Sequence, residues 1–202
     1  MAQAAAIEYQ GAVYILQALG IAPTSVNVNL IVAQEINEWG WSGTLLQQSL
    51  NPLATTLYTP QAVGKWNSIP VWIFSTLQAG AQACALTLKG YPVMLQALQT
   101  SNASLYFGSA GRAELYKWSG GSGSYASDLQ TYYGELSAVP TAYLTHTGST
   151  TTTTKKAGTA STVSTFITQA APYAVWGVLG LAGVAAGAIA LDEAGVFDRW
   201  RR

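Results

Sequence analysis

Apolar residues along the first 140 positions recur mostly at helical spacing. Ile7, Val13, Tyr14, Leu16 and Leu19 suit one face of a first helix, which Gly20 ends, with Pro23 just beyond. Thr24 or Ser25 then offers a hydroxyl cap for a second helix. Its apolar positions include Val28, Ile31, Val32 and Ile36, and it reaches Glu38. Trp39-Gly40-Trp41-Ser42-Gly43 reads as a break. Asn51-Pro52-Leu53-Ala54-Thr55-Thr56 reads as a turn into an extended stretch, because a residue before proline avoids the helical region. Residues 64–70 form another irregular piece that suits a β-hairpin. A long helix is predicted over 75–88 and a shorter one over 93–99, with Gly90-Tyr91-Pro92 between them. A tight loop at 120–123 leads into a final helix over 125–136. The pattern predicts a mainly α domain with a small β or irregular lobe.

Beyond residue 140 the pattern changes. Residues 145–165 read THTGSTTTTTKKAGTASTVST, with no helical or strand periodicity, as in a flexible spacer. Residues 172–191, PYAVWGVLGLAGVAAGAIAL, carry no charge. At about 1.5 Å per residue, such a run spans about 30 Å, the thickness of a bilayer's hydrocarbon core. Gly177, Gly180, Gly183 and Gly187 each cost about 1 kcal/mol in a soluble helix but are well tolerated in a membrane helix. The segment is therefore expected to be a single C-terminal transmembrane helix. Gly183 and Gly187 form a GxxxG pair, flanked by Ala182 and Ala186, that suits helix–helix self-association. Arg199, Arg201 and Arg202 follow and mildly favour a cytoplasmic tail with the large domain outside. The expected division is a folded domain at 1–140, a linker at 141–169, a membrane helix at 170–191 and a short charged tail at 192–202.

Composition narrows the function classes. Charged residues make up 9% of the chain, against roughly 25% in an average soluble domain. That deficit suits a membrane segment, a virion-like assembly or a surface built from uncharged polar side chains. Lys and Arg number 9 and Asp and Glu number 9, so no basic surface argues for a nucleic-acid partner. Cys84 is alone, which excludes an intrachain disulfide and a cysteine-based metal site. His146 is also alone and lies in the spacer, where a catalytic base would not be positioned. The opening MAQAAAIEYQ lacks a basic region and an apolar core, so no cleaved secretory signal is expected.

Acid chemistry is left to Glu8, Glu35, Glu38, Glu114, Asp128 and Glu135, the acids of the first 140 residues. Glu35 and Glu38 lie one turn apart on one helical face. Glu38 ends its helix beside Trp39 and Trp41. A carboxyl group among apolar rings loses hydration, which raises its pKa and keeps it protonated. That state is what a general acid needs to protonate a glycosidic oxygen, and the rings suit stacking against sugars. Spacing alone equally fits a solvated glutamate at a helix end.

Several segments together resemble a known family. In order they are Glu38-Trp39-Gly40, Asn51-Pro52-Leu53-Ala54-Thr55-Thr56, an irregular segment ending at Trp72, Gly80, Thr87-Leu88, Gly90-Tyr91-Pro92, Trp118-Ser119-Gly120-Gly121 and Tyr125-Ala126. The stretch from about Leu30 to Glu135 resembles the lysozyme-like, peptidoglycan-cleaving domain of bacteriophage proteins. The resemblance implies a lysozyme-like fold without cofactor or metal. It also implies cleavage of the β-1,4 bond between N-acetylmuramic acid and N-acetylglucosamine, with Glu38 as catalytic acid and Glu35 as its fallback one turn earlier. Trp41, Asn51, Thr55, Thr56, Tyr91 and Trp118 are the expected substrate-binding residues, with Trp66 a further aromatic candidate. Each aromatic equally suits the core, and Thr55 and Thr56 equally suit turn hydrogen bonds. The chain departs from the family at Gln34, where tryptophan is common, and at Glu38-Trp39-Gly40, where Glu-Gly-Gly or Glu-Asn is common. A single acid serves a lytic transglycosylase, whereas a hydrolase needs a second group to aim water; both stay open.

A C-terminal membrane helix suits a phage with an internal membrane, of tectivirus type. The expected location is therefore the virion's internal membrane or the host cell envelope, with a role in entry. Peptidoglycan, lipid and virion capsid proteins are the expected partners. The competing reading is a non-catalytic lysozyme-like protein that binds wall polymer or serves as a structural virion membrane protein. A holin-like pore fits poorly with one span and a large domain.

Overall fold

Helix α1, Ala6–Leu19, begins where the Glu8 carboxylate accepts the Ala5 N–H at 2.7 Å, and it ends at Gly20 in the left-handed region, φ 71°. These assignments come from a computed structural model that describes residues 2–66 and 70–145. Helix α2, Ser25–Trp39, starts with a reciprocal cap. Thr24 Oγ1 accepts the Asn27 N–H at 3.2 Å, and Asn27 Oδ1 accepts the Thr24 N–H at 2.7 Å. Val28, Leu30, Ile31, Val32, Ala33 and Ile36 of α2 are all buried. They lie all round the helix because α1, α5 and α8 pack against it. Truncating one of its large apolar side chains to alanine is expected to cost about 2–5 kcal/mol.

A short helix α3, Thr44–Ser49, leads into the 51–56 segment. Strands β1, Ala62–Lys65, and β2, Trp72–Phe74, pair antiparallel, with Ala62 opposite Phe74, Gly64 opposite Ile73 and Lys65 opposite Trp72. One irregularity falls between Ala62 and Gly64. Helix α4, Leu77–Leu88, is capped by Thr76 and runs along α1. The chain continues through α5, Pro92–Gln99; α6, Ala103–Tyr106; α7, Ser109–Trp118; α8, Tyr125–Glu135; and α9, Thr141–Leu144. Helix α5 opens on Pro92 with no cap of its own. Glu114 from α7 supplies one, its two oxygens accepting the Val93 and Met94 N–H groups at 3.1 and 2.8 Å. A carboxylate there also meets the positive end of the helix dipole.

The domain is mainly α with one small hairpin, as the hydrophobic pattern predicts. Four elements depart from that pattern. Helix α3 occupies the stretch between the expected break at 39–43 and the expected turn at 51–56, where the pattern predicts no element. Helices α6 and α7 fill 103–118, where the pattern predicts none; α7 buries only Gly111, Glu114 and Leu115. Helix α9 lies inside the expected 141–169 linker, and its Tyr143 ring stacks on Tyr9 with centroids 5.1 Å apart.

One expectation is overturned. No helix among the described residues is long and apolar enough to cross a membrane. The longest, α2, has 15 residues, whereas a span needs about 20. The single-pass membrane location is corrected accordingly. The expected span at 172–191, its Gly183 and Gly187 pair, and His146 of the spacer lie outside the described residues.

Candidate functional site

The C-terminal turn of α2 and the 51–56 segment are joined through Asn51. Its Oδ1 accepts the Thr55 N–H at 2.9 Å, and its Nδ2 donates to the carbonyls of Thr55 at 3.0 Å and Trp72 at 2.8 Å. The Asn51 carbonyl accepts the Trp39 indole N–H at 2.7 Å. Cys84 Sγ of α4 donates to Asn51 Oδ1 and accepts the Leu53 N–H, at 3.4 and 3.3 Å. Leu50 and Ala54 take positive φ, 51° and 49°, on either side of Asn51-Pro52-Leu53. The segment can approach α4 this closely because residue 80 is glycine; a Cβ there would sit 1.8 Å from the Leu50 carbonyl oxygen.

Thr55 is buried and its hydroxyl is spoken for. The Thr87 hydroxyl donates to the Ala83 carbonyl at 3.0 Å, so the proton in the 2.5 Å Thr55–Thr87 contact comes from Thr55. Thr55 Oγ1 also accepts the Leu57 N–H at 3.2 Å. Asn51 and Thr55 thus shape the loop from inside, and Thr56 is the threonine that faces solvent.

Glu38 is half-buried in the last turn of α2. The Tyr125 hydroxyl, from the first residue of α8, donates to its Oε1 at 2.6 Å. Burial, and then the charge on Glu38, hold the Tyr125 phenol well above its usual range. Trp39 is buried and meets Trp66 edge-on, centroids 5.5 Å apart, over Leu46 and Val71. Half-buried Trp41 meets Tyr132 of α8 edge-on at 6.0 Å. The residue after Glu38 is thus bonded to the loop organised by Asn51, while the Glu38 carboxyl itself is held from α8.

Glu35 lies deeper. It has no exposure, and neither carboxyl oxygen has a hydrogen-bond partner. Gly11 leaves room for it, since a Cβ there would lie 2.7 Å from Glu35 Oε1 and 3.3 Å from Pro52 Cγ. Glu8 is also fully buried, with Oε1 unpartnered. Burial, then the charge on Glu8, holds the Glu35 carboxyl well above the usual carboxylate range. Burial pushes Glu8 up to about 7, against the opposing Ala5 hydrogen bond. Two buried acids thus lie near enough for the charge on one to raise the other. Gln34 is buried and accepts the Tyr106 hydroxyl at 2.7 Å.

Two sequence candidates remain. Tyr91 is buried at the start of α5, where burial and then Glu114 raise its phenol pKa. Trp118 and residues 119–121 group in a unit apart from the one holding the other candidates. Sequence reasoning missed two participants. Glu8 carries a local sign, an acid in the first turn of a helix, but its nearness to Glu35 depends on how α1 and α2 pack. Tyr125 lies 87 residues from Glu38, and nothing in its neighbourhood marks it as a carboxylate partner. Among the described residues, no group of three or more His, Cys, Asp or Glu side chains could hold a metal ion. No protein-family model, curated protein or solved structure matches the chain.

Proposed function

We propose that the described domain is a lysozyme-like glycosidase. In this reading it cleaves the β-1,4 bond between N-acetylmuramic acid and N-acetylglucosamine in peptidoglycan, with Glu38 as the general acid. One observation carries the reading: Glu38 lies in the last turn of α2, half-withdrawn from water, with one oxygen accepting the Tyr125 hydroxyl. Partial desolvation favours a neutral carboxyl group, and fixing one oxygen leaves the acid in a single orientation for proton transfer. Glu38 is preferred to Glu35 because Glu35 has no exposed atom through which to reach a substrate oxygen. With one such acid, proton transfer to the leaving oxygen is followed by attack of either the sugar's own hydroxyl or a water.

The test is clearing of purified cell-wall sacculi by the full chain and by Glu38→Gln, with mass spectrometry of the released muropeptides. Clearing by wild type and its loss in a folded Glu38→Gln variant support the enzyme. Anhydro ends then identify a transglycosylase and reducing ends a hydrolase. The same Tyr125 contact favours a second reading, because a hydrogen bond donated to a carboxylate stabilises its ionised form. In that case Glu38 only pins α8 to α2, and the domain binds wall polymer without cutting it. Co-sedimentation of wild type with sacculi, without release of muropeptides, selects that reading.

A further inference from the structure

The hairpin carries aromatic surface that the core only partly absorbs, Trp72 packing in part against Phe74, Ala79 and Ala83. Tyr58, which precedes β1, is 59% exposed and Val63 on β1 is 66% exposed. Tyr58 meets Trp72 at 5.0 Å between centroids and 62° between ring planes. Trp72 is held firmly in place. Its indole N–H donates to the Thr56 carbonyl at 3.0 Å, and its own carbonyl accepts Asn51 Nδ2 at 2.8 Å. Directly across the ladder, Lys65 places Nζ 5.1 Å from the centroid of the Trp72 ring. Among the described residues Lys65 makes no ion pair.

We propose that Tyr58, Trp72 and Lys65 form a subsite for an N-acetylated glycan that carries carboxylates. The inference rests on the glycosidase reading and extends it to substrate recognition. Rings fixed by their neighbours lose little rotational freedom when a sugar's C–H face stacks on them. The ammonium group, which has no ion-pair partner among the described residues, complements a carboxylate carried by the glycan. Continuity favours a glycan over an acidic peptide: Trp72 is bonded to the 51–56 segment, and that segment holds Trp39, the neighbour of Glu38.

The experiment titrates tryptophan fluorescence of the full chain with two probes. One is the neutral tetrasaccharide of N-acetylglucosamine; the other is the N-acetylglucosamine–N-acetylmuramic acid disaccharide with its free carboxylate. Tyr58→Ala is expected to weaken both about fivefold to tenfold, the scale of one stacking contact. Lys65→Gln is expected to weaken only the carboxylate-bearing probe, by about threefold, and to abolish its salt dependence. Tyr116→Ala, at an α7 tyrosine that is 53% exposed, is expected to change neither. Unaltered binding of both probes by Tyr58→Ala overturns the subsite, as does binding of poly-glutamate without a response to either sugar. The Glu38 reading is judged separately by sacculus clearing, so clearing with unaltered Tyr58→Ala binding rejects the subsite alone.

Discussion

The Tyr125 hydroxyl donates to Glu38 Oε1 across 2.6 Å, joining the first residue of α8 to the last turn of α2. The contact does two jobs that one variant can separate. It ties two packed helices together, and it stabilises the ionised form of the acid proposed to act on substrate. Removing the hydroxyl is therefore expected to raise the Glu38 pKa.

Tyr125→Phe is expected to lower stability by about 1.5–3 kcal/mol in urea unfolding, the usual loss for a hydrogen bond to a charged group. If Glu38 is the acid, the alkaline limb of the pH profile for sacculus clearing also moves to higher pH. A stability loss with an unmoved limb would mean that Tyr125 serves only the fold.

The buried carboxyls of Glu8 and Glu35 make stability depend on pH in an unusual direction. Both have folded pKa values above the unfolded value near 4.5, with Glu8 at about 7. The folded state therefore binds more protons than the unfolded chain, and stability falls as pH rises. The stabilisation from protonated Glu8 is complete below about 4.5 and lost between about 4.5 and 7. Cys84 and Glu38 are the other titratable groups coupled to this region, and the described residues bring no cation to it. Thermal unfolding is expected to show a higher midpoint at pH 5 than at pH 8, with a difference of roughly 2 kcal/mol from Glu8 alone. Glu35→Gln keeps the shape, removes the buried charge and is expected to flatten the profile. A midpoint that stays level between pH 5 and pH 8 in the wild type would contradict the buried pair.

Two glycine-to-alanine substitutions should act in opposite directions. At Gly80 the new Cβ would lie 1.8 Å from the Leu50 carbonyl oxygen and 3.2 Å from Asn51 Cα, both backbone atoms that cannot give way cheaply. Gly80→Ala is expected to cost more than about 3 kcal/mol and to disturb the loop that seats Trp39. A Cβ added at Gly134, inside α8, would meet nothing within 4 Å. Gly134→Ala is expected to stabilise the domain by about 0.5–1 kcal/mol by removing backbone freedom from the unfolded chain. Chemical denaturation of both variants tests the pair, and a neutral Gly80→Ala would refute the close packing of loop on α4.

The elements legible in the sequence were those with local punctuation. Gly20, Thr24, the Gly90-Tyr91-Pro92 break and the 120–123 loop mark helix ends by their own conformational preferences, so α1, α2, α4, α5 and α8 could be placed within a residue or two. Helix α7 has no such marks and little apolar stripe, because tertiary contact through Glu114 and Leu115 fixes it. The site shows the same divide. Motif and spacing picked out Glu38, Asn51 and Thr55, but spacing cannot say which way a turn residue faces. Asn51 and Thr55 turn inward and spend their polar atoms on the loop itself, which leaves Thr56 outside. The contacts that define Glu35 and Glu38 come from α1 and α8, both remote in the chain.

Glu114 offers the last test, of a cap supplied across the fold. Its two oxygens take the Val93 and Met94 N–H groups of α5, and the residue is nearly buried at 9% exposure. Without it, two N–H groups at the start of an eight-residue helix lose their acceptor. Glu114→Ala is expected to cost about 2–3 kcal/mol, combining lost charge-assisted bonds with a partly vacated site. Glu114→Gln retains one carbonyl acceptor and should recover roughly half of that loss. Hydrogen exchange gives the local readout: the Val93 and Met94 amides should exchange faster in Glu114→Ala than the α2 amides do. Equal acceleration throughout the domain would show that Glu114 acts through global stability alone, without a specific hold on α5.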